Sequence, residues 1–247
     1  MRVIVTGGAG FIGSHFVRRQ LSGAYPELAD ASVVVLDKFT YAGNEANLAP
    51  VADHPRLTVV PGDICDGPLL AALMAKTDLV VHFAAESHVD RSIASAAEFV
   101  RTNVLGTQTL LQAAHDAGVG RFVHVSTDEV YGTIDRGAWT EDEPLLPNSP
   151  YAASKASSDL MAVAYHRTHG LPVCVTRCSN NYGPYQFPEK AIPRFITRLM
   201  SGQAVPCTGT ACTYGTGCTS TTTAGALPWS PRAATPARST TSAVAPS

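Results

Sequence analysis

Short apolar runs alternate with longer stretches of helical spacing along most of this chain. The runs are Val3 to Val5, Val33 to Leu36, Leu57 to Val60, Leu79 to Phe83, Phe122 to Val125 and Val173 to Thr176. Each predicts a strand, and an uninterrupted apolar run is what a strand covered on both faces requires. Between the runs, Phe11, Ile12, Phe16, Val17 and Leu21 recur at helical spacing, as do Phe99, Val100, Val104, Leu110 and Leu111 within about 96–114. Ser149 and Pro150 open a further helix as N-cap and first helical residue. Strands alternating with helices predict an α/β chain: a Rossmann-like doubly wound parallel sheet with helices on both faces. Ligands of such sheets bind beyond the carboxyl ends of the strands, and the polar clusters of this chain fall there.

The first run leads into Thr6-Gly7-Gly8-Ala9-Gly10-Phe11-Ile12-Gly13-Ser14. Gly7 permits a tight turn, Gly10 lets the backbone approach a pyrophosphate, and Gly13 lets the helix pack close to the strand. The first helical N–H groups then face an anion at the positive end of the helix dipole. Alone, the pattern is equally a bare strand-to-helix turn. Asp37 changes the balance, because it ends the second run, where an acid accepts ribose hydroxyls and repels a 2′-phosphate. The expected cofactor is therefore NAD. The polar loop from Lys38 through Thr40 to Asn44 is placed to wrap the adenosine end, and Asp63-Ile64, after the third run, to meet the adenine. Asp63 also suits a helix N-cap. Ala84 and Ala85 leave space beside a cofactor after the fourth run, while His82 and His88 read as partners of nearby backbone.

Composition narrows the partners. The 247 residues are 45% hydrophobic and 15% charged with a net charge of −2, and no basic run favours nucleic acid or an anionic membrane surface. No apolar stretch is long enough to span a bilayer. Met1 leads directly into the first strand, so no signal peptide is expected and the predicted location is cytoplasmic. Six cysteines occur without a CxxC pair; Cys65, Cys174 and Cys178 read as reduced thiols with packing roles. The eight histidines show no metal spacing, so no metal site is assigned.

Tyr151 and Lys155 stand four apart on one helix face near its N-terminus. The ammonium and the helix dipole are expected to lower the phenol from about 10 toward the working range of a base. As an isolated spacing this is an ordinary surface pair. With the glycine loop and Asp37 it resembles the extended short-chain dehydrogenase/reductase family over residues 1 to about 206. Three further motifs resemble one branch, the dTDP-glucose 4,6-dehydratases: Phe83 to Ser92 (FAAESHVDRS), Ser126 to Gly132 (STDEVYG) and Asn180 to Lys190 (NNYGPYQFPEK). Sugar-nucleotide epimerases of the family usually carry small uncharged residues where Asp128 and Glu129 stand here, which disfavours a 4-epimerase.

The resemblance implies a hydro-lyase serving deoxysugar biosynthesis, which converts dTDP-glucose to dTDP-4-keto-6-deoxyglucose with NAD. C4 is oxidised, water is eliminated across C5 and C6, and C6 is reduced. By motif, Tyr151, assisted by Lys155, is the base at the 4-hydroxyl, Thr127 holds that hydroxyl, Glu129 removes the C5 proton and Asp128 protonates the leaving 6-hydroxyl. Gly7, Gly10, Phe11, Ile12, Gly13, Asp37, Lys38 and Thr40 would face the cofactor. So would Asp63, Ile64, Ala84, Ala85, Thr102, Tyr151, Lys155 and Asn181. Ser87, Thr127, Asn180, Glu189 and Lys190 would face the sugar nucleotide. The implied organisation is an NAD-binding domain over residues 1–180 and the start of a substrate lobe over 181–206. Helix pairing into a homodimer is usual in the family.

From Cys207 the composition changes. Residues 207–247 hold 11 Thr and no Asp, Glu or Lys, with no helical or strand period, and are expected to be a disordered, non-family tail. This places the fixing of the nucleotide base, and the activity of the chain, in question; a catalytically impaired NAD-binding fragment is the alternative function. The codons of Cys207 to Thr223, read from the third base of the Pro206 codon, permit Leu-Tyr-Gly-Asp-Gly-Leu-His-Val-Arg-Asp-Trp-Leu-His-Val-Asp-Asp-His. That is the string such dehydratases carry at this point, so the tail reads as a shifted frame.

Overall fold

The computed structural model describes residues 1–134 and 137–205, with the short strands Gly217–Thr219 and Ser239–Thr241. All six apolar runs form strands: β1 (Arg2–Thr6), β2 (Ser32–Asp37), β3 (Leu57–Pro61), β4 (Leu79–His82), β5 (Arg121–Thr127) and β6 (Val173–Cys178). They lie in the order β3-β2-β1-β4-β5-β6, every neighbouring pair parallel. This is the doubly wound arrangement, whose order reverses between β1 and β4 and leaves a crevice beyond the strand ends.

Alternation along each strand sends side chains to two cores. Val3, Val5, Val33, Val35 and Val81 pack with Phe16, Val17 and Leu21 of α1 (Phe11–Leu21). Ile4, Val34, Leu36, Val80 and Phe122 face the other way. They pack against Leu70 and Met74 of α2 (Gly67–Met74), Leu110 and Leu111 of α5 (Thr107–Asp116), and Ala162 of α6 (Pro150–His169). Each large side chain removed from water in this way contributes roughly 1.5–3 kcal/mol. The uninterrupted apolar strands follow from the need to satisfy both layers.

Two local features differ from the sequence reading. The helix expected over about 96–114 is not uniform: α3 (Val89–Ala94) and α4 (Ala97–Phe99) precede a π-helical turn, Val100–Gly106, which runs into α5. Gly106 sits in that turn against Ile64, where a Cβ would lie 2.6 Å from the Ile64 Cδ1. The N-cap of α2 is Asp66, which accepts from the Leu69 N–H at 3.1 Å; Asp63 accepts from Cys65 N instead. Ser149 caps α6 as expected, accepting from Ala152 N at 3.1 Å.

β7 (Asn180–Tyr182) and α7 (Ala191–Met200) follow β6, and no residue of α7 is buried. Within the tail, β8 (Gly217–Thr219) pairs in parallel with β7, and β9 (Ser239–Thr241) extends the main sheet beside β6. The expectation of no strand after residue 206 therefore fails at these two places. An open sheet edge offers main-chain donors and acceptors, so pairing there needs no apolar pattern. The rest of the stretch 207–247, including the expectation of disorder, lies outside the described residues.

Candidate active site

A cavity of about 380 Å³ opens across the carboxyl ends of the strands. Its floor is the glycine loop. The Gly7 N–H donates to the Leu36 carbonyl at 2.8 Å, and Gly7 holds φ +67°. A Cβ there would lie 2.6 Å from the Ala84 nitrogen, and one on Gly13 would lie 2.3 Å from the Gly7 oxygen. Only glycine fits between the loop, β4 and α1. A Cβ on Gly10 would meet just the Gly7 oxygen, at 3.2 Å, so this residue has room around it. Gly10 ends the loop as the N-cap of α1, with no acid in the first turn to compete for an anion.

Asp37 lies at the end of β2, 8% exposed. Its Oδ2 accepts from Ala9 N and its Oδ1 from Phe39 N, both at 2.9 Å. These bonds aim the carboxylate and leave each oxygen a further lone pair. Lys38 Nζ is 2.9 Å from Asp63 Oδ2. Burial opposes the Asp63 charge, but the Cys65 N–H and Lys38 outweigh it and hold the carboxyl below its usual value. Thr40, Ile64, Ala84, Ala85, Phe11 and Ile12 line the same cavity. Thr102 reaches it from the π turn, whose Asn103 carboxamide pairs with the Glu86 backbone (2.8 and 3.0 Å) and with Ser154 Oγ (2.8 Å). One amide thus ties the end of β4 to α6.

At the other end, Thr127, Glu129, Tyr151 and Lys155 share one wall. Thr127 caps the 3₁₀ turn Asp128–Tyr131, accepting from Glu129 N at 3.2 Å, and its hydroxyl donates to Asp128 Oδ1 at 3.3 Å. Burial raises both carboxyls above the ordinary range, and the Asp128 charge adds to the effect on Glu129. Asp128 itself does not line the cavity.

The expected lowering of the Tyr151 phenol does not occur. Burial raises its pKa far above the ordinary value, and the Glu129, Cys178 and Asp128 charges add to the shift, against a smaller opposing bond with Thr127. The Lys155 ammonium donates to the Val125 carbonyl at 2.8 Å, and burial lowers its own pKa. The spacing of the two residues on α6 is as expected; the desolvation of their site is what the spacing did not contain.

Ser87, Asn180, Asn181 and Lys190 line the cavity, and Lys190 Nζ donates to the Ser87 carbonyl at 3.1 Å. Glu189, expected with them, is not part of the wall: Arg91 Nη2 binds both its oxygens, at 3.0 and 2.9 Å. Ser126, Cys178, Gln186 and Phe187 also line the cavity and were not singled out. Ser126 and Cys178 lie near the carboxyl ends of β5 and β6, so the rule that ligands bind beyond strand ends would have found them.

Fold and site together define the short-chain dehydrogenase/reductase class of dinucleotide-binding proteins. The profile of the GDP-mannose 4,6 dehydratase family matches residues 4–211, and the chain belongs to that family. The chain is 62% identical over 209 residues to a dTDP-glucose 4,6-dehydratase of Streptomyces niveus, covering 85% of this chain and 62% of that protein. It is 60% identical over 211 residues to one of Actinoplanes sp., covering 85% and 66%. A Streptomyces venezuelae dTDP-glucose 4,6-dehydratase crystallised with NAD superposes with a TM-score of 0.90 at 63% identity, over 91% of this chain and 70% of that one. The chain thus spans about three fifths of the length of the curated relatives it matches. Among the described residues, no helix is long and apolar enough to cross a membrane, and no group of three or more His, Cys, Asp or Glu could hold a metal ion.

Proposed function

We propose that this chain carries the cofactor site and reacting groups of an NAD-dependent dTDP-glucose 4,6-dehydratase. The observation that carries the reading is the convergence of Thr127, Glu129, Tyr151 and Lys155 on one wall of the cavity floored by the glycine loop. The cavity fits NAD: its cradle has no Cβ where a pyrophosphate would lie, and Asp37 keeps free lone pairs for ribose hydroxyls. Lys38, the cation nearest in sequence, is engaged by Asp63. When bound, NAD supplies a hydride acceptor that is restored within each cycle and a positive charge in the pocket.

Thr127 holds the sugar 4-hydroxyl; Tyr151, protonated without cofactor, would take its proton once the positive charge of bound NAD offsets the burial that raises the phenol. The ketone formed at C4 acidifies the C5 proton, which Glu129 removes. Asp128, whose carboxyl burial raises against the opposing bond from the Thr127 hydroxyl, is the acid for the departing 6-hydroxyl. One protonated acid beside one ionised acid is the split that mutual repulsion favours. Ser87, Asn180 and Lys190 orient the sugar nucleotide, and Glu189 acts through its pairing with Arg91. The substrate is a small molecule, neither nucleic acid nor membrane; a cytoplasmic enzyme pairing as a homodimer is the setting this reading expects. Incubation with dTDP-glucose tests it. A 4-keto sugar, which absorbs in alkali, supports dehydration; an epimerised sugar with no such absorbance supports a 4-epimerase.

A further inference from the structure

Beneath the cavity lies a buried charged cluster that this chemistry does not use. Asp159 stands one turn beyond Lys155 and two beyond Tyr151 on α6, 1% exposed, and Arg177 on β6 is 7% exposed. Arg177 Nε donates to Asp159 Oδ2 at 2.8 Å, and Nη1 of the same guanidinium donates to the Tyr131 hydroxyl at 2.7 Å. Tyr131 ends the turn that begins with Asp128 and Glu129. Asp159 Oδ1 also lies 3.3 Å from His124 Nε2, on the strand that runs into that turn. A single planar side chain therefore joins the helix bearing Tyr151 and Lys155 to the turn bearing the two acids.

Stability alone does not account for this. Well-packed apolar groups often replace a buried ion pair without loss, whereas the rigid fork of arginine fixes the direction of both its bonds. We propose that Arg177 and Asp159 are positioning residues that hold the Tyr151–Lys155 helix at a set separation from the Asp128–Glu129 turn, so that oxidation and elimination address one bound sugar. The kinetic part of the claim rests on the dehydratase reading; the positional part does not.

Tyr131→Phe tests the link, since it removes one bond of the fork and leaves the helix side untouched. The full chain is mixed with NAD and excess dTDP-glucose in deuterated water, where NADH absorbance reports C4 oxidation and deuterium at C5 reports proton removal. In the variant, C5 labelling should fall roughly tenfold or more, the scale of a sub-ångström to 1 Å misplacement, with oxidation within about twofold of the parent. Equal losses in both steps, or none in either, overturn the proposal.

The second readout needs no turnover. The Trp139 ring stacks on Tyr131, with centroids 5.8 Å apart and planes at 19°. In a Trp229→Phe background Trp139 is the sole tryptophan of the two in the chain. Arg177→Lys, which replaces the fork with a point charge on a flexible stem, should shift its emission to longer wavelength and raise acrylamide quenching. An unchanged spectrum overturns the proposal. A parent chain that binds NAD but forms no NADH even after the frame is restored contradicts the dehydratase reading instead, and the fluorescence result then decides the positional claim.

Discussion

The ammonium of Lys155 donates to the main-chain carbonyl of Val125 at 2.8 Å, tying α6 to the end of β5. The Tyr151 phenol, one turn earlier, is left under the control of burial and of the acids beside it, and is held protonated.

That state predicts a pH dependence. A phenol whose folded pKa is raised contributes stability that is complete below its unfolded value of about 10 and is lost as pH climbs above it. Without cofactor, the unfolding free energies of the parent and Tyr151→Phe should run parallel from pH 6 to 9 and diverge only above about pH 10, the parent falling faster. Divergence near neutrality would show a phenol lowered by its surroundings. Denaturant unfolding across pH settles the point.

The backbone bonds from Ala9 and Phe39 aim the Asp37 carboxylate at the second strand's end, where a 2′-phosphate would meet its charge. NAD should therefore bind at least tenfold more tightly than NADP, a difference of about 1.4 kcal/mol, and Asp37→Ala should narrow the gap. Fluorescence titration of both cofactors measures it; equal or tighter NADP binding would refute the assignment.

Much of this was legible in the sequence because it is local. An apolar run announces a strand covered on both faces, Ser149-Pro150 announces a helix start, and the glycine loop needs only its own turn and the strand beside it. What escaped depends on residues far apart or on burial. Glu189 is claimed by Arg91, 98 positions earlier, so its motif position did not give its partner. Asp63 and Asp66 suit a cap equally by residue type, and only the backbone chose Asp66. The Tyr151 shift depends on desolvation, which no spacing encodes. The Arg177 link needs three elements assembled before it exists.

Glu129 and Tyr151 serve different steps, so their variants should fail differently. In a chain with an intact substrate lobe, Glu129→Gln should still permit C4 oxidation, so bound NADH should accumulate with substrate, while C5 exchange with solvent falls by about 100-fold or more. Tyr151→Phe should prevent NADH from forming at an appreciable rate. Stopped-flow absorbance with NMR of the sugar separates the two. Normal exchange in Glu129→Gln would remove that residue from the base role.

The family profile ends at residue 211, close to where the composition changes. The shifted-frame reading predicts that the codons from Pro206 onward spell the dehydratase string one register over. Sequencing the coding DNA decides it. Codons unable to spell that string end the idea, and codons that do spell it predict that restoring the frame raises sugar-nucleotide turnover well above that of the chain as it stands.

The fate of hydrogen in the product separates dehydration from epimerisation. The frame-restored chain is incubated in deuterated water with NAD and dTDP-glucose labelled with tritium at C4. The expected product is a 4-keto-6-deoxy sugar with solvent deuterium at C5 and the tritium moved from C4 to C6. A hexose inverted at C4 that keeps its 6-hydroxyl, or a 4-keto-6-deoxy product whose tritium has been lost to solvent, would contradict it.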